Sequence, residues 1–578
     1  MKTKKIGNRV LMISAAFMIA FVLWGVISPT SLGAVADDAL QWVTEYFGWF
    51  YMLVLSVFIV FALIVMVSPF GRMRLGKEDD EPQYKFITWV GMLFAAGIGV
   101  GFVFFGVAEP VLNYLDPPPN EAVQSPEAAA AVGLRYAVYH WGLHCWIASL
   151  IVGLIMSYVM YRKNKPALIS SAFYPLLRNK TDGVIGKSID IFAILATCAG
   201  VATTFGLSAL QISGGLSYIT PIPNTVWTQI TLIIIVTICF IFSALSGIDK
   251  GIKRLTNINI ALAGILLIFV ISFGPTIFIF ESMVTTLGSY VGNVVQMSLT
   301  LEPYAGSNWI AGNTIFFWGW HMSWAPFIGL FVARISKGRS IREFIAGVLF
   351  VPAALALIWF SSFGGSSLYY EVSQGISTIT SVSQTNEELA MFVLLEQLPL
   401  SLLTSIVALL LIFIFFITSA DSATFILGSM TSNGMQNPPT KLKLLWGILI
   451  GAVAAVLLLS GGDDGLSALQ TAAITGGLPI AFILIGMVVC LTILLTRDYR
   501  YYRRQVLATR SASLKDEIRE DFYEEWKDEV SEEIKDDFKD QAYQELKEEL
   551  REDVYKELKE DLKKDVKKQL KKENRKDR

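Results

Sequence analysis

Residues 316–329 read Phe-Phe-Trp318-Gly-Trp320-His321-Met-Ser-Trp324-Ala-Pro326-Phe327-Ile-Gly329, three tryptophans and a histidine in an uncharged stretch. A second aromatic group lies at 139–146, Tyr139-His140-Trp141-Gly-Leu-His144-Cys145-Trp146. Tryptophan faces attract a cation through the ring quadrupole and ask for no hydrogen bond, which suits a quaternary ammonium group. Packing explains any one such ring equally well; the mid-segment cluster points to a ligand site, because tryptophan otherwise collects at membrane interfaces. Gly97-Ile98-Gly99-Val-Gly101 places glycines at alternate positions. Such spacing weakens a helix and bares carbonyl ligands, and it also lets helices pack closely. Hydroxyls gather at Thr197, Thr203 and Thr204, and again in Phe415-Phe-Ile-Thr418-Ser419-Ala-Asp421-Ser422. Hydroxyl and carbonyl oxygens are the hard ligands that suit Na⁺. Asp421 is either functional or a structural partner for a basic group. With three histidines, no nucleophile–base or metal constellation can be assembled, which argues against an enzyme. No charged ring or filter motif argues for a channel.

These residues lie in a chain of 578 residues, 53% hydrophobic, with a mean hydropathy of +0.53. A soluble domain has no core large enough to hide so much apolar surface. Twelve predominantly apolar stretches are long enough to span a bilayer, near 10–28, 48–68, 86–108, 133–160, 189–219, 226–246, 257–280, 312–333, 345–366, 400–428, 444–460 and 472–495. Loops between them alternate in charge. Lys2, Lys4, Lys5 and Arg9 precede the first span, whereas Asp37, Asp38 and Glu45 follow it. Arg72, Arg74, Lys77 and Lys85 follow the second; Glu109, Asp116, Glu121 and Glu127 follow the third. Basic loops stay cytoplasmic, so both termini are expected inside. Ala34-Val35-Ala36 resembles a signal-peptidase site, but the preceding apolar run is long for a signal and is expected to stay as an anchor. Cys145, Cys198, Cys239 and Cys490 all fall within spans and read as small buried apolar residues.

Binding sites in carriers form where helices unwind in corresponding positions of two repeats. Spans three and eight are the candidates, and their offset suits two five-helix repeats, spans 3–7 and 8–12. The expected organisation is two peripheral helices in 1–85, a first repeat in 86–305, a second in 306–500, and a charged tail in 511–578.

The motifs together resemble the betaine/carnitine/choline transporter family: the glycine-rich third span ending Gly-Val-Ala-Glu109-Pro110, His140-Trp-Gly-Leu-His, Trp318-Gly-Trp through Ala333-Arg334-Ile-Ser-Lys-Gly-Arg339, and Thr418-Ser-Ala-Asp-Ser. The resemblance runs from about residue 10 to about residue 500. It implies an all-α integral membrane protein of twelve transmembrane helices with a ten-helix inverted-repeat core, like that of the sodium-coupled amino-acid and neurotransmitter transporters. It further implies a homotrimer in the bacterial plasma membrane, alternating access, Na⁺ as coupling ion, no other cofactor and no nucleic-acid partner. The implied substrate is a quaternary-ammonium solute, glycine betaine first, with choline or carnitine as alternatives; a transport-deficient sensor is the alternative of another class. Solute contacts would come from Trp141, Trp146, Ser149, Trp320, His321, Trp324, Gly97, Gly99 and Gly101. One Na⁺ site would draw on Ala95, Ile98, Phe415, Thr418 and Ser419, the other on Thr197, Thr204 and Phe327. Gly101 stands where proton-coupled choline carriers place Asp, and residues 191–219 lack the Arg of sodium-independent carnitine exchangers. Both features point to sodium coupling. The chain departs from the family's aromatic box, with Ser149 at a Tyr position and His321 at a Trp position.

Beyond Arg510 an apolar residue recurs every fourth place, from Leu514, Ile518 and Phe522 to Val566 and Leu570, with no Pro or Gly. That pattern predicts a long helix whose apolar stripe drifts about 40° per step. Residues 514–550 carry 6 basic and 16 acidic groups, net −10; residues 551–578 carry 12 and 8, net +4. Such a tail reads either as a solvated charged segment or as a sensor of ionic strength or anionic lipid, as in related osmoregulated carriers.

Overall fold

The computed structural model describes residues 8–97, 99–246, 249–304, 309–462, 465–537 and 541–573, which among themselves form helices and connecting turns, without a sheet. The first elements are α1 (Asn8–Ile27), α2 (Pro29–Val67), α3 (Phe86–Gly97), α4 (Val100–Leu115), α5 (Pro126–Trp141), α6 (Leu143–Ser157), α7 (Tyr174–Leu177) and α8 (Val184–Ile219). There follow α9 (Val226–Ser246), α10 (Asp249–Phe273), α11 (Thr276–Leu299), α12 (Trp309–Gly312), α13 (Thr314–Ile335) and α14 (Ile341–Leu368). The chain continues through α15 (Thr378–Thr385), α16 (Ala390–Glu396), α17 (Ser401–Thr431), α18 (Thr440–Ser460), α19 (Gly465–Asp537) and α20 (Gln541–Glu573). Two compact units divide between Leu495 and Thr496, inside α19.

Local sequence explains several starts. Ser125 accepts from the Ala128 N–H at 3.3 Å, with Pro126 and Glu127 in the first turn of α5. Ser340 caps α14 likewise, accepting from the Glu343 N–H at 3.1 Å. The linker before α3 is tied to the linker before α14 by main-chain bonds, Leu75 N–H to Arg339 O and Gly338 N–H to Leu75 O, both 2.8 Å. Above the latter, the Arg339 guanidinium lies 4.1 Å from the Trp89 ring centroid and donates to Tyr84 O at 2.8 Å. The Ser-Lys-Gly-Arg339 motif is thus a clamp at one end of α3.

Among the described residues, ten helices are long and apolar enough to cross a membrane, and two shorter apolar helices, Val100–Leu115 and Val226–Phe242, join them. The protein is a multi-pass membrane protein. In the first unit, α13 packs along α6 and α8, α4 along α5 and α14, and α17 along α8 and α18.

Four sequence expectations are corrected. Residues 29–47, expected mostly as a loop carrying Asp37, Asp38 and Glu45, form the first half of α2. The seventh span, expected at 257–280, ends at Phe273, and residues 281–299, expected as a loop after it, belong to α11. Its apolar residues Ile277, Phe280, Val284, Leu287, Val291 and Val295 are exposed, while Ile279, Tyr290 and Met297 are buried. The eighth span does not break: α13 runs continuously through Trp318–Phe327, and Pro326 removes one N–H without ending the helix. No helix boundary marks the expected tail start at 511, because α19 continues from Gly465 to Asp537. The expected repeat boundary at 305/306 lies outside the described residues.

In the second unit the every-fourth apolar positions Leu514, Ile518, Phe522 and Trp526 are exposed, as are Leu546, Leu550, Val554, Leu558 and Leu562. Arg519 and Glu557 approach to 3.9 Å. Phe538, another member of that series, lies outside the described residues.

Candidate solute and cation sites

Two breaks frame the site. Gly99 separates α3 from α4 in an extended conformation, φ −106° and ψ −159°. Gly142 separates α5 from α6, φ −80° and ψ −133°. A Cβ on Gly142 would stand 2.6 Å from Val138 O and 2.8 Å from Tyr290 Oη, so the close approach requires glycine. Trp141 is the last residue of α5, and Trp146 lies in the first turn of α6. The Trp146 indole donates to Trp141 O at 3.2 Å, across the Gly142 break.

Trp141 is the centre of a buried ring cluster. Its ring centroid lies 5.1 Å from Phe102, 5.7 Å from Phe317, 5.8 Å from Trp320, 5.5 Å from His321 and 5.9 Å from Phe360. The Trp320 contact is perpendicular, 89°, an arrangement that sets a positive ring edge against a negative face. A Cβ on Gly101 would fall among the Trp141 ring atoms and 3.0 Å from Trp320 Cη2. Close packing is therefore what Gly101 provides. Gly99, by contrast, has no heavy atom within 4 Å of its Cβ direction. Gly97 ends α3, Ala95 lies in the last turn of α3, and Ile98 lies outside the described residues.

Glu109 was expected in an acidic loop; it is instead buried on α4, 4% exposed. The Trp141 indole donates to Glu109 Oε2 at 2.7 Å, while Oε1 lies 2.5 Å from His140 Nδ1. His140 Nε2 lies 2.9 Å from Thr314 Oγ1 at the start of α13. This chain fixes the Trp141 ring from α4, α5 and α13 together. In the sequence Glu109 reads as a loop acid and a motif residue; its place beside Pro110 at the end of an uncharged run is the signal that could mark it.

The remaining expected solute residues divide. Ser149 is buried one turn beyond Trp146 on the same side of α6. Trp320 donates to Gly200 O at 3.2 Å, joining α13 to α8. His321 is buried, with Nε2 3.2 Å from Cys145 Sγ. Trp324 stands apart from the Trp141 cluster, half-buried and edge-on to Phe327 at 6.0 Å.

The hydroxyls fall into two groups. Thr197, Gly200 and Thr204 recur at helical spacing on α8, whose Gly200 abuts Ser323 and Trp324 of α13. Phe327 follows one turn later, also buried. Thr197 Oγ1 is fully buried with no hydrogen-bond partner among the described residues. Thr204 Oγ1 donates to Gly200 O at 3.2 Å, which leaves its lone pairs free to meet a cation. Thr203 instead bridges to Leu469 O at 3.0 Å, a structural link to α19. On α17, Thr418 Oγ1 donates to Ile414 O at 3.0 Å, Ser419 is half-buried, and Phe415 is buried. With its amide turned so that nitrogen faces Leu411 O and oxygen faces Phe415 N–H, Asn259 of α10 bonds both, each at 3.1 Å. This contact joins α10 to the unbroken α17 one turn before Thr418 and Ser419. Asp421 is buried on the next turn.

A tryptophan pair at a helix break, with buried hydroxyls elsewhere in a bundle of apolar helices, fits a membrane transporter. The sequence model described as BCCT, betaine/carnitine/choline family transporter, matches residues 9–500, and the chain belongs to that family. Among its relatives are the glycine betaine transporter OpuD of Bacillus subtilis, 46% identical over 86% of this chain and 96% of the relative. The ectoine/hydroxyectoine transporter of Virgibacillus pantothenticus is 42% identical over 86% of this chain and 98% of its own. A probable glycine betaine transporter of Desulfitobacterium hafniense is 40% identical over the same shares. The protein is a transporter and not an enzyme.

Proposed function

We propose that the protein imports a small zwitterionic compatible solute, glycine betaine first, into a bacterial cell, driven by Na⁺. The observation that carries this reading is the meeting of Trp141 and Trp146 at the Gly142 break, with the Trp141 ring held by Glu109. Cation–π attraction accounts for the ammonium end, and the break supplies backbone groups for the remainder. The glycine betaine and ectoine carriers among its relatives support the solute class.

Sodium coupling is supported by Thr197, whose buried hydroxyl has no hydrogen-bond partner among the described residues, and by the buried Thr204 and Phe327. A second cation position near Phe415, Thr418 and Ser419 would draw on Ala95 and Ile98 across the Gly99 break. A sensor that has lost transport has no need of such a hydroxyl. In this reading the twelve apolar segments form two five-helix repeats after two peripheral helices, both termini are cytoplasmic, the carrier is a homotrimer, and the basic end of the tail meets anionic lipid. Uptake of labelled glycine betaine into proteoliposomes tests it. An inward Na⁺ gradient should drive accumulation; full uptake on a proton gradient alone would refute sodium coupling.

A further inference from the structure

We infer that Tyr290 of α11 is a positioning residue for the solute: its hydroxyl caps α6 and so fixes the relative placement of Trp141 and Trp146. The inference rests on the proposed solute site at those two tryptophans. The Gly142 break makes α6 begin at Leu143, with no side chain from its own N-cap residue to serve its first N–H groups. Such groups are left over at any helix start and need acceptors from elsewhere when they are buried. Tyr290, 7% exposed on α11, supplies one: its Oη accepts the Leu143 N–H at 3.3 Å. A main-chain N–H can only donate, so the direction of this bond is fixed. The same hydroxyl stands 2.8 Å from where a Cβ on Gly142 would lie, so a larger residue there would displace it.

Two further contacts make α11 a splint across the break. On the α5 side the Tyr139 hydroxyl donates to Met297 O at 3.1 Å. On the α6 side His144 Nε2 lies 2.9 Å from Ser298 Oγ. Tyr139 and His144 each stand two residues from a solute tryptophan, so α11 grips both arms of the break close to Trp141 and Trp146. The two arms also meet directly, through the Trp146 indole and Trp141 O. Tyr290 bonds to the backbone between the tryptophans, so its effect on the solute passes through them. Its loss would leave a buried N–H at the start of α6 without this acceptor and loosen the turn that sets the two rings.

Tyr290→Phe removes the hydroxyl and keeps the ring, and uptake of labelled glycine betaine by the full chain in proteoliposomes reads its effect. Loss of a cap should raise the half-saturating concentration about fivefold. The maximal rate should stay within about twofold of the parent, the pattern of a change in binding alone. Because Tyr290 acts through the tryptophans, the same change made in Trp146→Leu should add little, less than about twofold. An unchanged half-saturating concentration in Tyr290→Phe, or an equal fivefold loss in the Trp146→Leu background, would overturn the inference while leaving the carrier reading intact. A fall in maximal rate alone would also overturn it, since Tyr290 would then serve the transport step. No betaine uptake by the parent, or no effect of Trp146→Leu by itself, would overturn the site reading as well.

Discussion

Glu109 and Trp141 are joined by a 2.7 Å hydrogen bond from the indole to Oε2, inside a bundle where the carboxyl is 4% exposed. The other oxygen holds His140, so one carboxyl orients two consecutive side chains at the end of α5. Replacing Glu109 by Ala removes both contacts and leaves two buried ring N–H or N groups unpaired, each at about 1–3 kcal/mol. Apparent solute affinity in Glu109→Ala should fall at least about tenfold, with a smaller loss in Glu109→Gln, which keeps an acceptor for the indole. Equal behaviour of the parent and Glu109→Ala in uptake assays would remove Glu109 from the site.

Gly101 and Gly99 should respond differently to a methyl group. Alanine at 101 collides with the Trp141 ring and crowds Trp320, whereas alanine at 99 meets no atom within 4 Å. Overpacking of this kind costs about 1–3 kcal/mol. Gly101→Ala should therefore lower solute affinity by roughly five- to a hundredfold. Gly99→Ala should bind solute nearly as the parent does. Isothermal titration of the purified proteins compares them, and the reverse ranking would place the solute at Gly99.

Thr197 offers a test that separates structure from ion binding. Its hydroxyl has no hydrogen-bond partner among the described residues, so Thr197→Val removes no hydrogen bond seen there. The melting temperature without Na⁺ should stay the same or rise. The Na⁺ concentration for half-maximal uptake should increase by about tenfold, the loss of one ligand worth ~1.4 kcal/mol. A lower melting temperature together with unchanged Na⁺ dependence would make Thr197 structural.

Much of this was legible from residue types. Trp141 and Trp146 stood out as members of a tryptophan cluster in mid-segment, where packing explains a single ring but less readily a group, and Thr197 and Thr204 because hydroxyls inside apolar segments are conspicuous. The residues that position them were not. Glu109 looked like a loop acid because charge counting assigns carboxylates to loops, yet His140 and the Trp141 N–H satisfy it within the bundle. The break at Gly142 was hidden because a lone glycine in a helical run carries no distinguishing pattern; besides Val138 O of its own segment, it is Tyr290 on α11, in a stretch read as a loop, that crowds it. Span eight looked broken because Pro326 sits within it, but a proline removes one N–H, and the packing of α13 on α6 and α8 holds the remainder helical.

The central claim is that the solute's ammonium group lies against the tryptophans at the Gly142 break. Trp146→Leu tests it most directly, since Trp146 makes one side-chain hydrogen bond, to Trp141 O, and a leucine retains the apolar volume near the helix start. Loss of one desolvated cation–π contact is worth about 2 kcal/mol, a roughly thirtyfold rise in the half-saturating concentration for labelled glycine betaine uptake in proteoliposomes. The account predicts that rise with the protein still folded and still driven by Na⁺; an unchanged half-saturating concentration would contradict it and place the solute elsewhere.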